Sequence, residues 1–113
     1  MGLGWHSLRA SEVQEGRALV KWCNLNGIMI VHVPNESREF RILDGVRSGF
    51  PDYFFPDFVE GKRGLFIELK AIGGKVSAKQ KWWIENLKDA GYEACVCFGW
   101  DEASCVIGRY FCD

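Results

Sequence analysis

The sequence predicts a single α/β domain over residues 1–113, in the order helix, strand, strand, strand, helix, strand and a short C-terminal helix. Two Ser-x-x-Gln capping boxes each open a run with helical spacing. Between and after them lie apolar, β-branched or aromatic segments bounded by Gly and Pro. The 113-residue length, 48% hydrophobic and 26% charged, suits one core without disulfides or a structural metal, and excludes disordered and collagen-like chains. The aromatic residues (8 Phe, 5 Trp and 3 Tyr) suit either a core or a surface for a stacked ligand.

Ser11-Glu12-Val13-Gln14 sets the first helix start, and Asn26-Gly27 its stop. Val13, Gly16, Val20 and Cys23, with Leu19 and Trp22 beside them, form the expected inward stripe. Ile28 to Val33 reads as a strand closed by Pro34-Asn35. Residues 35–49 read as a polar, basic loop with Arg38, Arg41 and Arg47 free to point at a ligand. Pro51 to Val59 reads as a second strand whose later half Pro56 demotes to an edge or bend. After a turn at residues 60–64, alternation from Leu65 to Ala71 puts Leu65, Ile67 and Leu69 on one face and Phe66, Glu68 and Lys70 on the other. Ser77-Ala78-Lys79-Gln80 opens the next helix, with Trp83, Ile84, Leu87 and Ala90 inward and Gly91 as its end. Glu93 to Trp100 is a central strand, and Asp101 to Cys112 a short helix or terminal segment able to pack on its own core or exchange with a neighbour.

Charge excludes a protein that coats nucleic acid through bulk positive potential, since the formal net charge is -1. Its distribution is uneven. Between Lys62 and Lys81 six bases (Lys62, Arg63, Lys70, Lys75, Lys79, Lys81) face one acid, Glu68. That pattern fits a local phosphate-binding patch or a solvated helix face with a charged turn. The five cysteines make no CxxC pair and argue against zinc; Cys95 and Cys97 read as strand thiols of a reducing compartment. With no targeting or membrane-spanning run, an intracellular, cytoplasmic and soluble protein is expected. His6 and His32 stand alone and are assigned no catalytic role.

Asp52, Glu68 and Lys70 stand out as chemistry. Two carboxylates near adjacent strand ends can share a hard divalent cation such as Mg²⁺, which takes oxygen ligands and keeps waters for exchange. An ammonium two residues from one of them can orient a water and stabilise charge on a phosphate. An ordinary Glu-Lys pair on a solvent-facing strand is the plainer alternative.

Gly49-Phe50-Pro51-Asp52, Ile67-Glu68-Leu69-Lys70 and Gly73-Gly74-Lys75-Val76-Ser77-Ala78-Lys79-Gln80-Lys81-Trp82 together resemble the VRR-NUC branch of the PD-(D/E)XK nucleases. Glu12 in the first helix and Gly91-Tyr92-Glu93-Ala94 before the last strand extend the resemblance from about residue 11 to about residue 110. It implies a restriction-endonuclease-like core, with a mixed central sheet flanked by helices. It makes Asp52 and Glu68 metal ligands, adds the backbone carbonyl of Leu69, and gives Lys70 the water-orienting or charge-stabilising role. Glu12 approaches the metal directly or through water, and Gln80 supports the site. Glu15 rivals Glu12, Glu12 also suits the positive helix terminus, and Gln80 also suits a capping box alone. Asn35-Glu36 resembles a family pair, or a capped turn. Trp82 falls outside the inward stripe and suits subunit packing more than base stacking.

The resemblance implies a Mg²⁺- or Mn²⁺-dependent endonuclease that cuts branched DNA such as four-way junctions as a homodimer, with Arg38, Arg41, Arg47, Lys62, Arg63, Lys75, Lys79 and Lys81 on DNA. Stand-alone copies of this domain are typical of phage and mobile elements, so a prokaryotic or phage-encoded protein with a recombination or repair role is implied; a recruiting helicase stays open. A flap or single-strand nuclease, a catalytically silent DNA-binding module and a structural protein with a chance motif are the alternatives.

Overall fold

The computed structural model describes residues 10–34, 45 and 47–112. Arg38, Arg41, Asn35-Glu36 and His6, considered above from sequence, lie outside those residues. The observed elements are α1 (Glu12–Leu25), β1 (Val31–His32), β2 (Tyr53–Phe55), β3 (Leu65–Lys70), α2 (Ala78–Asp89), β4 (Glu93–Phe98) and α3 (Trp100–Cys112). They follow the predicted order. The sheet runs β1-β2-β3-β4, antiparallel except for the parallel β3–β4 pair that α2 connects.

Both capping boxes form. The Ser11 and Ser77 hydroxyls accept from the Gln14 and Gln80 amides at 3.1 Å, and the two Gln side chains accept from the Ser amides at 2.8 and 2.9 Å. Gly27, at φ +68°, follows the end of α1 as read.

β3 is buried at all six positions because helices cover both faces of the sheet. Leu65, Ile67 and Leu69 join Leu19, Cys23, Ala103, Ile107 and Tyr110 from α1 and α3. Phe66, on the opposite face, packs with Ile84, Leu87 and Ala94. It stacks on Phe54 at 4.6 Å between ring centres and meets Phe50 and Tyr92 edge-on. Glu68 and Lys70 share that face, so the same alternation that buries Phe66 draws both charges out of solvent.

Several expectations need correction. The inward stripe of α1 is Glu15, Gly16, Leu19 and Cys23, while Val13 is 60% exposed, because the helix turns a carboxylate inward to a backbone donor described below. The strand expected from Ile28 shrinks to Val31–His32. In the β1–β2 register Pro56 falls opposite Met29 and has no N–H to donate; the Met29 amide turns instead to the Asp57 carboxylate at 3.0 Å. On α2, Ala90 is exposed and Trp83 half-buried. The C-terminal segment is a 13-residue helix whose Ala103, Ile107 and Tyr110 pack into this chain's own core. Among the described residues no helix is long and apolar enough to cross a membrane.

Gly49, at φ +85°, fixes the approach to Asp52. A Cβ there would lie 2.7 Å from Lys79 Cβ and 2.9 Å from the Lys79 carbonyl carbon, so the turn before β2 lies directly against the first turn of α2. Gly49→Ala therefore carries both a left-handed backbone cost and an overlap, and is expected to destabilise the protein by about 1–3 kcal/mol. A thermal melt beside wild type measures it; an unchanged Tm contradicts the tight turn.

Candidate active site

The β2–β3 register pairs Tyr53 with Ile67, so one step further places Asp52 opposite Glu68. Asp52 Oδ2 accepts the Leu69 amide at 3.0 Å, which anchors the carboxylate to the end of β3. The Val33 amide donates to the Asp52 carbonyl at 2.7 Å and extends the sheet past Asp52 on the other side. The acids are thus cross-strand neighbours in which like charges repel.

Glu68 is 2% exposed, and one of its oxygens, Oε1, is buried without a hydrogen-bond partner among the described residues. The other, Oε2, accepts from Gln80 Nε2 at 2.9 Å and lies 3.9 Å from Lys70 Nζ. Lys70 Nζ also lies 3.9 Å from Glu12 Oε2 at the start of α1. Lys70 is 9% exposed, so its ammonium is held between two carboxylates with little water.

Burial pushes the Glu68 carboxyl up to about 8, with the facing Asp52 charge adding to the rise and Lys70 opposing it. Burial also raises Asp52, while the Leu69 amide pulls it back. Coulomb attraction between Glu68 and Lys70 at 3.9 Å is on the order of 4 kcal/mol at an effective dielectric of about 20, and the repulsion from the facing Asp52 charge works against it. One ammonium shared with Glu12 does not offset both that repulsion and the loss of water. The metal-free pair accordingly retains a proton.

Gln80 performs both roles open to it. Its Oε1 accepts from the Ser77 amide in the capping box, which leaves Nε2 to face Glu68. Glu15 lies elsewhere. It is buried, and its Oε1 accepts the Trp100 amide at 2.8 Å, capping α3 from across the core and tying α1 to the end of β4. Glu12, not Glu15, faces Lys70.

The donor chemistry fits a hard divalent cation: two facing acids that resist joint ionisation, and a buried carboxylate oxygen with no hydrogen-bond partner among the described residues. Asp52 and Glu68 are the side chains able to hold it, with the Leu69 carbonyl beside them. Among the described residues no group of three or more His, Cys, Asp or Glu is placed to hold a metal ion.

The basic residues divide. Lys75, Lys79 and Lys81 are exposed around the turn after β3 and the first turn of α2, on the same end of the sheet as Glu68. Trp82 is 57% exposed beside them. Lys62 and Arg63 precede β3 at its other end, whose first residue, Leu65, lies roughly 17 Å from Lys70 by the strand rise. Lys62 Nζ donates to the Tyr110 carbonyl and sits over its ring, and Arg63 lies over Tyr92. Those two residues brace the end of α3 and the start of β4, and are not brought together with the other three. Arg47 lies in the turn leading to Asp52, where its carbonyl accepts the Phe50 amide at 3.2 Å.

Sequence reasoning missed His32, Arg17 and Lys21. Pairing in the β1–β2 ladder sets His32 opposite Tyr53, the residue after Asp52, with their rings 5.2 Å apart. A groove of about 710 Å³ runs from Glu12 and Asp52 along α1 past His32, Arg17 and Lys21. The spacing of Arg17 and Lys21, one helical turn apart, was the available signal.

The chain as a whole is similar to known proteins. Residues 10–100 match the family described as VRR-NUC domain. A protein named Fanconi-associated nuclease 1 homolog, from Caenorhabditis elegans, is 41% identical over 51 residues, a stretch covering 45% of this chain and 6% of that protein. The chain therefore matches a small fraction of that relative's length. A solved structure described as a VRR_NUC domain protein superposes with a TM-score of 0.77 at 28% identity, covering 90% of this chain and 88% of that one.

Stability should report the shared proton directly. Glu68 is raised on folding from its ordinary 4.5 to about 8, so across that window the folded state binds a proton that the unfolded state has lost. Metal-free protein should lose stability as pH rises from about 5 to 8. Glu68→Gln should flatten that slope, since Gln keeps an oxygen for Gln80. Melts at several pH values in EDTA measure both slopes, and equal slopes contradict the buried acid.

Proposed function

The chain belongs to the VRR-NUC domain family, and from that premise we propose that it is a divalent-metal-dependent endonuclease hydrolysing phosphodiesters in branched DNA. The observation that carries the reading is the facing Asp52–Glu68 pair with Lys70 beside it at the end of β3. When bound there, Mg²⁺ or Mn²⁺ supplies Lewis acidity at the phosphate and an acidified water.

This chain's residues do the rest. Asp52 is held by the Leu69 amide and Glu68 by Gln80, so neither carboxylate has to reorganise to meet a cation. Lys70 stands with its ammonium directed by Glu68 and Glu12, where it orients the attacking water and offsets negative charge gathering on the phosphate oxygens. Glu12 holds Lys70 in that position. Lys75, Lys79 and Lys81 supply contacts to the phosphates that flank the site.

We assign four-way junctions as the finer substrate and a homodimer as the working form, because two-fold symmetry presents two active sites to a near-symmetric branch. Trp82, large and exposed beside the basic turn of α2, is available to such an interface. A second reading, a flap or single-strand nuclease with the same site, is favoured by the apolar lining of the α1 groove.

The test is cleavage of an end-labelled four-way junction and its matched linear duplex with Mg²⁺, Mn²⁺ or EDTA. Wild type is expected to cut the junction in paired symmetric positions only with metal, and Asp52→Asn, Glu68→Gln and Lys70→Ala to lose on the order of 100-fold or more in rate while still binding the junction. Full turnover by Asp52→Asn and Glu68→Gln contradicts the active-site assignment.

A further inference from the structure

The groove beside α1 opens from the two acids and is built differently from the basic turn of α2. One wall is α1, where Val13 and Val20 present apolar surface, and the other is the β1–β2 edge with His32 and Tyr53. Val13 is 60% exposed although it lies on the helix face flanking the acids. Arg17 and Lys21 are both exposed along the same wall, and neither has an acidic partner within ion-pair distance among the described residues. By the helical rise they stand about 7 and 13 Å beyond Glu12.

We propose that this groove receives the unpaired DNA strand that continues from the scissile phosphate, with bases against the apolar wall and successive phosphates at Arg17 and Lys21. The inference rests on the nuclease reading and, within it, favours the flap or single-strand substrate over a fully paired junction arm. Charge sets the direction: acids lie at the end where a cation and the reacting phosphate belong, and bases lie where only further phosphates follow. Apolarity sets the strandedness. In a duplex the base faces are buried in their own stack, so an apolar wall has nothing to meet, whereas an unpaired base exposes a face that Val13, Val20 and Tyr53 can cover. A groove of about 710 Å³ holds a few nucleotides but not a duplex.

Binding is measured on the full chain by fluorescence anisotropy with a labelled oligothymidine, a hairpin duplex with a single-stranded arm, and the same hairpin blunt. Arg17→Glu/Lys21→Glu is compared with wild type and with Lys88→Glu, an equivalent reversal per site on an exposed residue of α2. Arg17→Gln/Lys21→Gln is the second variant should double reversal disturb the helix. The Gln pair is expected to bind oligothymidine and the armed hairpin about tenfold or more weakly, while the blunt hairpin and Lys88→Glu change less than twofold. Its slope of log affinity against log salt should fall by about 1.4, as two lost single-strand phosphate contacts require.

Equal losses on blunt and armed DNA would overturn the claim of strandedness, and unchanged oligothymidine affinity and salt slope would overturn the groove. Cleavage by wild type, run in parallel, keeps the two readings separate. If wild type cuts with metal but the variants bind normally, the groove assignment fails and the nuclease stands. If no metal supports cutting while the single-strand loss is seen, the groove stands and the nuclease reading fails.

Discussion

Two carboxylates placed face to face on neighbouring strands, with water largely removed, are the constraint on which the rest of the site depends. Left alone, Asp52 and Glu68 repel by an amount comparable with a sizeable share of a small domain's stability. The surrounding groups each answer part of that cost. The Leu69 amide stabilises Asp52, Gln80 satisfies one Glu68 oxygen, and Lys70 lies within attraction of Glu68 while Glu12 holds it. The second Glu68 oxygen has no hydrogen-bond partner among the described residues. In the function proposed above, a divalent cation would both relieve the repulsion and use that oxygen.

The sheet makes the pairing rigid. β3 carries apolar clusters on both faces, and its register with β2 is set by Phe54 on Phe66 and by Phe55 in the core. Sliding β2 by one residue turns Tyr53 and Phe55 away from the α1 side and moves Asp52 off Glu68 at once. Glu15 binds the same frame from behind by capping α3 across the core, so the helix that carries Glu12 is held at a distance from Lys70 that its own sequence does not determine. Fold and site share their supports. Capping Gln80 starts a helix and holds the buried Glu68 carboxylate with the same amide group.

Local chemistry was the legible part of the sequence. Capping boxes, turn glycines and the alternation from Leu65 to Lys70 each depend on neighbours within a few residues, and they placed the elements and the Glu68–Lys70 face. The rest depends on partners far along the chain. Nothing near Val13 shows that Glu15 will turn inward for the Trp100 amide, 85 residues away. Likewise β1 starts no earlier because Pro56, just past the end of β2, cannot donate to it. Lys62 and Lys75 share a basic stretch in sequence, yet a whole strand separates them and sends one to Tyr110 and the other to the site end. His32 gained its place beside Asp52 through a pairing register that sequence alone did not reveal.

The central claim is that Asp52 and Glu68 form one cation site whose affinity belongs to the pair and not to Lys70. Titration of Mn²⁺ into the purified protein by calorimetry, without DNA, tests it most directly. The account predicts one ion per chain for wild type, binding that disappears in Asp52→Asn and in Glu68→Gln, and binding that persists in Lys70→Ala. Saturable binding of one ion per chain that survives both carboxylate substitutions, or that vanishes with Lys70→Ala while the fold is intact, would contradict it.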